Sequence, residues 1–154
     1  MKSHTFEITT TWTGANGVGT TGYTEYSRDY DLQAQGKEVL HCSTDPAFRG
    51  DGTKYNPEDM LVGALSSCHM LWYFHLCADA GIVVLEYTDH ATGTMVSGAD
   101  GGRFTDVVLK PVIKVQSATM IPLATELHDA AHKKCFIANS VNFPVTCVPT
   151  IHAI

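Results

Sequence analysis

The chain has 154 residues, 44% of them hydrophobic and 17% charged, with a formal net charge of −6. That length suits one domain, 1–154, with a real hydrophobic core. The acidic balance argues against a partner held through phosphates, so neither nucleic acid nor an anionic membrane surface is expected.

Thr5 to Thr13 alternates and is rich in β-branched and aromatic residues, which predicts a strand. GANGVG, residues 14–19, predicts a loop. Thr20 to Asp31 reads as the returning strand and Lys37 to Cys42 as a third, followed by an irregular loop over 43–55. A helix then begins, with Asn56 as N-cap, Pro57 at N1, and Glu58 and Asp59 favouring the positive end of the helix dipole. It runs to Ala80 and stops at Gly81. Apolar residues lie on almost every side of it, which predicts a helix buried all round. A second copy of the chain is the natural cover for the side that one chain leaves open.

Ile82 to Ser97 and Arg103 to Gln116 flank GADGG and predict a long hairpin, with Pro111 at an edge or bulge. Pro122 opens a second helix reaching Val141, and Pro144 to His152 predicts the last strand. The order is α+β with a mostly antiparallel sheet. The N-terminus has no apolar run of signal-peptide length, and Met60 to Leu76 is too short and too polar to cross a bilayer. A soluble, cytoplasmic protein is the expectation.

The five cysteines are Cys42, Cys68, Cys77, Cys135 and Cys147. An odd number without a CxxC pair argues against a disulfide framework and against a zinc ribbon. Each is then a small buried hydrophobe or a reactive thiol. Cys68 and His69 interrupt the apolar helix in SSCH, and an aliphatic core needs neither. Cys77, in LCADAG, reads as core. HDAAHKKC places His128, His132 and Cys135 at i, i+4 and i+7 of one helix face. These three are a metal site, or Cys135 is a thiol near Lys133, Lys134 and His132 whose positive charge favours the thiolate; the plainest reading of His128 and His132 is as surface residues of an amphipathic helix. Glu58 reads as a partner of the helix dipole, and Arg49, in PAFRGDG, as a solvated charge.

NPEDMLVGALSSC, with HKKCFIAN further on, resembles the two signatures of the OsmC/Ohr family, the osmotically inducible and organic hydroperoxide resistance proteins. The order of elements fits that family over nearly the whole chain, and IANSVNFPV looks like an OsmC-like branch. The resemblance implies an intertwined homodimer, with two central helices wrapped by sheets. It also implies a thiol peroxidase for organic hydroperoxides that uses no cofactor and no metal. By position, Cys68 matches the peroxidatic cysteine, Cys135 the resolving cysteine and Glu58 the family's acidic residue. Arg49 matches the arginine, with Arg28 in YSRDY as the fallback. Two positions depart from the pattern. Phe136 stands where many members have proline, and His69 where an apolar residue is common.

The implied chemistry sets physical conditions. Burial raises a thiol's pKa, so a thiolate at Cys68 needs a guanidinium beside it. Glu58 lies ten residues before Cys68, roughly 15 Å along a helix, so the arginine or the partner subunit must span that gap. The two cysteines can bond only with Cα atoms within about 7 Å. Phe48, Met70, Trp72 and Phe136 are candidates for an apolar lining that favours bulky peroxides, with a dithiol, of lipoyl type for example, as reductant. The alternatives are an OsmC-like redox or binding protein with little turnover, and a metal-binding protein.

Overall fold

In the computed structural model, which describes residues 2–154, the chain divides into two units, one ending at Met60 and one running from Leu61 to Ile154. The first holds a three-stranded antiparallel sheet in the order β1 (Thr9–Trp12), β2 (Tyr30–Gln33), β3 (Leu40–Cys42). Trp12 pairs with Tyr30 at the head of the sheet. The predicted returning strand from Thr20 is mostly turn instead. Before Tyr30 the backbone is pinned by side chains: Trp12 Nε1 donates to the Ser27 carbonyl at 2.9 Å, and Ser27 Oγ accepts from the Asp29 amide at 3.1 Å.

The loop after β3 is irregular as expected, with a 3-10 turn at Pro46–Phe48 capped by Asp45. Gly50 is required there, since a Cβ would lie 1.6 Å from the Thr44 carbonyl oxygen. Helix α1 (Pro57–Asp79) starts where the cap residues predict. Asn56 Oδ1 accepts from the Asp59 amide at 2.7 Å, and Asp59 returns the bond to the Asn56 amide at 3.4 Å. This is a reciprocal capping box. Gly81, at φ +72°, ends the helix in the left-handed region that glycine occupies without strain.

The second unit carries two further three-stranded sheets. One has the order β4 (Val84–Asp89), β7 (Pro111–Val115), β9 (Thr150–Ala153); the other is β5 (Thr92–Gly98), β6 (Gly101–Leu109), β8 (Val145–Cys147). The long hairpin forms, but both its arms change sheet midway. So does the closing segment, which makes two strands rather than one, each parallel to its neighbour. All three crossings fall at one level. Asp89 fixes that level: its Oδ1 accepts from the Lys110 amide at 2.7 Å, and its Oδ2 accepts from Ser66 Oγ at 2.5 Å. Pro111 therefore opens a central strand and marks a sheet change, where a missing N–H is tolerated.

Helix α2 covers Ile121–Lys134 and stops short of Cys135, earlier than predicted. One core cluster joins Tyr73 and Cys77 of α1 to Ala124 and Ala131 of α2 and to Ile113 and Val115 of β7. A second joins Leu65 to Val107 and Leu109 under the other sheet. Full burial of a side chain such as Leu65 is worth roughly 2 kcal/mol.

The fully buried residues of α1 are Leu65, His69, Tyr73 and Cys77, a single stripe four residues apart. Burial all round is thus not a property of one chain: Leu71, on another side, is 62% exposed. The helix is also longer than the apolar stretch suggests and has the length and composition of a membrane span. Its buried stripe makes it the core helix of this unit.

Candidate active site

Cys68 lies on α1 beside the buried stripe and is half-buried. Cys135 is the C-cap of α2, in extended backbone at φ −66° and ψ 112°, and is 1% exposed. The segment beyond α2 folds back as a 3-10 turn, Ala138–Ser140. Asn139 ties it down, donating its amide to the Cys135 carbonyl at 3.1 Å and its side chain to the Lys133 carbonyl at 3.0 Å. The turn aims the Ala138 amide at Cys135 Sγ, at 3.4 Å. The Cys135 thiol lies against Cys68, and its pKa is pushed up to about 11, first by burial and then by the neighbouring Cys68 thiol. The two cysteines are thus brought together, Cys135 from beyond the helix rather than from its face.

Trp72, one turn after Cys68, meets Phe136 edge to face with centroids 5.5 Å apart, and Lys134 Nζ lies 5.4 Å from the indole centre. Phe136 is largely exposed. The residue that departs from the family pattern therefore adds an aromatic surface next to the thiols. Such a surface suits an organic group.

Arg49 and Glu58 belong to the first unit. Arg49 is exposed, takes φ +68° at the end of the 3-10 turn, and lies over Tyr23 at 5.9 Å. Arg28 is held by its own loop: its Nη atoms donate to the Tyr26 and Tyr23 carbonyls at 2.7 and 2.6 Å, between the two rings. Among the described residues neither arginine forms an ion pair with Glu58. The Glu58 Oε2 atom is buried without a partner.

The set His128, His132 and Cys135 does not assemble. His132 is exposed, and His128 is only 3% exposed rather than a surface residue. His128 Nδ1 lies 2.9 Å from His69 Nε2, and Cys147 Sγ lies 3.6 Å from each. Burial depresses the pKa of His69 to about 4, with the His132 charge adding to the effect, and that of His128 to about 3, with His69 adding. Both rings are neutral at pH 7. Cys147, the third member, is missed by sequence reasoning. Its one signal is a cysteine in alternating strand sequence, indistinguishable there from a core residue.

The description OsmC-like protein matches residues 50–149. The chain is similar to an OsmC-like protein of unknown function from Vibrio cholerae, at 28% identity and TM-score 0.86, covering 96% of this chain and all of that one. It is also similar to an organic hydroperoxide resistance protein OsmC from Legionella pneumophila, at 15% identity and TM-score 0.71, with 98% of each chain covered. An organic hydroperoxide resistance protein from Elizabethkingia anophelis aligns at 19% identity and TM-score 0.68, with 99% of each chain covered. No curated protein matches the chain. The family match spans well over half the sequence, both cysteine motifs and the helix between their flanking sheets, and the chain belongs to the OsmC-like protein family.

Proposed function

We propose that this chain is a thiol peroxidase that reduces organic hydroperoxides in the cytoplasm as a homodimer. The observation that carries the proposal is the neighbouring Cys68 and Cys135 thiols beside Trp72 and Phe136. Relatives named for organic hydroperoxide resistance support the same reading.

The Cys68 thiolate attacks the distal peroxide oxygen. The O–O bond breaks, the alkoxide takes a proton and leaves as an alcohol, and Cys68 becomes a sulfenic acid. The Cys135 thiol then displaces that hydroxyl as water and the disulfide forms. A dithiol, such as a lipoyl group, reduces it by exchange and is itself oxidised to a cyclic disulfide. Cys135 suits the resolving role. With its pKa near 11 it stays a thiol at neutral pH and does not compete for the peroxide. By their positions in the family motif, Arg49 is assigned the positive charge that favours the Cys68 thiolate and Glu58 its orientation. The buried, unpartnered oxygen of Glu58 is the feature that calls for such a cation.

The test is consumption of cumene hydroperoxide with dihydrolipoamide as reductant. Wild type turns over, and Cys68→Ser does not. Cys135→Ser consumes one equivalent and leaves a sulfenic acid on Cys68 that dimedone traps. Unchanged turnover in Cys68→Ser would overturn the proposal.

A further inference from the structure

We infer that His69, His128 and Cys147 form a binding site for a zinc-type divalent transition-metal ion, separate from the thiol pair. Their ligand atoms, His69 Nε2, His128 Nδ1 and Cys147 Sγ, form a triangle with edges of 2.9, 3.6 and 3.6 Å. One point lies about 2.0 Å from all three atoms. Zinc sits roughly 2.0–2.1 Å from imidazole nitrogen and about 2.3 Å from thiolate sulfur. A displacement of about 0.8 Å out of the triangle, leaning slightly toward the nitrogens, meets those lengths. Two imidazoles and a thiolate select zinc or copper over magnesium or calcium.

Hydrogen bonding alone serves this trio poorly. Between two neutral imidazoles one nitrogen carries the proton and the other offers a single lone pair. The His69–His128 contact uses that lone pair, so the Cys147 S–H has no free acceptor in the triangle. A cation engages all three lone pairs at once and releases one proton, from the thiol. Both rings are already neutral and need release none. Burial, and then the nearby carboxylates of Asp89 and Asp129, push the thiol up to a pKa of about 12. A metal ion reverses that preference.

The three ligands are fixed by separate elements. His69 is on the buried stripe of α1, His128 on α2, and Cys147 ends β8 where the chain changes sheets. Tyr73 stacks on the His128 ring, with centroids 4.0 Å apart and planes 11° apart, and holds its orientation. His128 Nε2 is buried without a hydrogen-bond partner. An open cleft of about 580 Å³ reaches His128 and Cys147. Glu126 and Asp129 line it, which favours entry of a cation and leaves the fourth ligand position to water.

The experiment is titration of the metal-free, reduced protein with Co²⁺. One equivalent is expected to give a near-ultraviolet thiolate charge-transfer band and tetrahedral visible bands, which Zn²⁺ then bleaches. Cys147→Ala should abolish the charge-transfer band, and His69→Gln should weaken binding more than roughly tenfold. Circular dichroism checks that each variant is folded. The double variant Cys68→Ser/Cys135→Ser should keep the full spectrum. Absence of the band in wild type overturns the inference, as does its loss in the double variant with retention in Cys147→Ala. Peroxide turnover is not part of the readout, so failure here leaves the peroxidase proposal standing, and the converse holds.

Discussion

Cys68 and His69 are consecutive, and on a helix consecutive side chains point about 100° apart. That rotation separates two chemistries on one turn of α1: a thiol that meets Cys135, and an imidazole that meets His128 in the core. The thiol pair is legible in the sequence because each cysteine sits inside a local motif. The histidine pair with Cys147 is not. Its members are 59, 78 and 19 positions apart, and only the packing of α1, α2 and β8 brings them together. The aromatic surface beside the thiols makes a prediction about single residues. Removing the indole in Trp72→Ala should raise KM for cumene hydroperoxide about tenfold, the scale of one lost aromatic contact. KM for hydrogen peroxide should change little. Equal losses for both peroxides would remove Trp72 from the substrate surface.

Secondary-structure elements are legible where their ends are written locally. Helix α1 starts at Asn56–Pro57 and stops at Gly81, and its cap is a measurable contribution. Asn56→Ala should lower stability by about 1 kcal/mol, read as a shift in the urea midpoint at unchanged slope. Illegible ends are those set by distant partners. The break in Ile82 to Ser97 depends on Asp89 holding the Lys110 amide across the hairpin. The early end of α2 depends on Asn139 reaching back to Lys133. In the first unit, Lys54 Nζ bonds Asp29 Oδ2 at 2.8 Å and is the main cause that lowers the Asp29 pKa. A depressed carboxyl stabilises the fold above its unfolded pKa of about 3.8 and loses that effect as pH falls through the folded value. Lys54→Met should therefore be less stable than wild type at pH 7. The difference should close by pH 2, in denaturation curves at both pH values.

For the molecule as a whole, the α+β class and the family were legible, because element order and two motifs span nearly the full chain. The apolar composition of α1 was legible too. One chain buries a single stripe and leaves Leu71 open, on a helix for which the sequence calls for a second copy. The proposed dimer accounts for the open side. Leu71→Arg should then place an unpaired charge in the interface, at a cost of roughly 3 kcal/mol. Sedimentation should show wild type as a dimer and the variant shifted to monomer; a wild-type monomer would remove the dimer from the proposal.

The position of Cys135 just beyond the last turn of α2 has a consequence for turnover. Its sulfur can swing toward Cys68 through the torsions of one extended residue, without opening a rung of the helical ladder. Cycling between dithiol and disulfide then confines motion to the short turn at 135–140. Deuterium uptake should differ between the two redox forms in that turn alone, while the amides of Ile121–Lys134 exchange at the same pace in both.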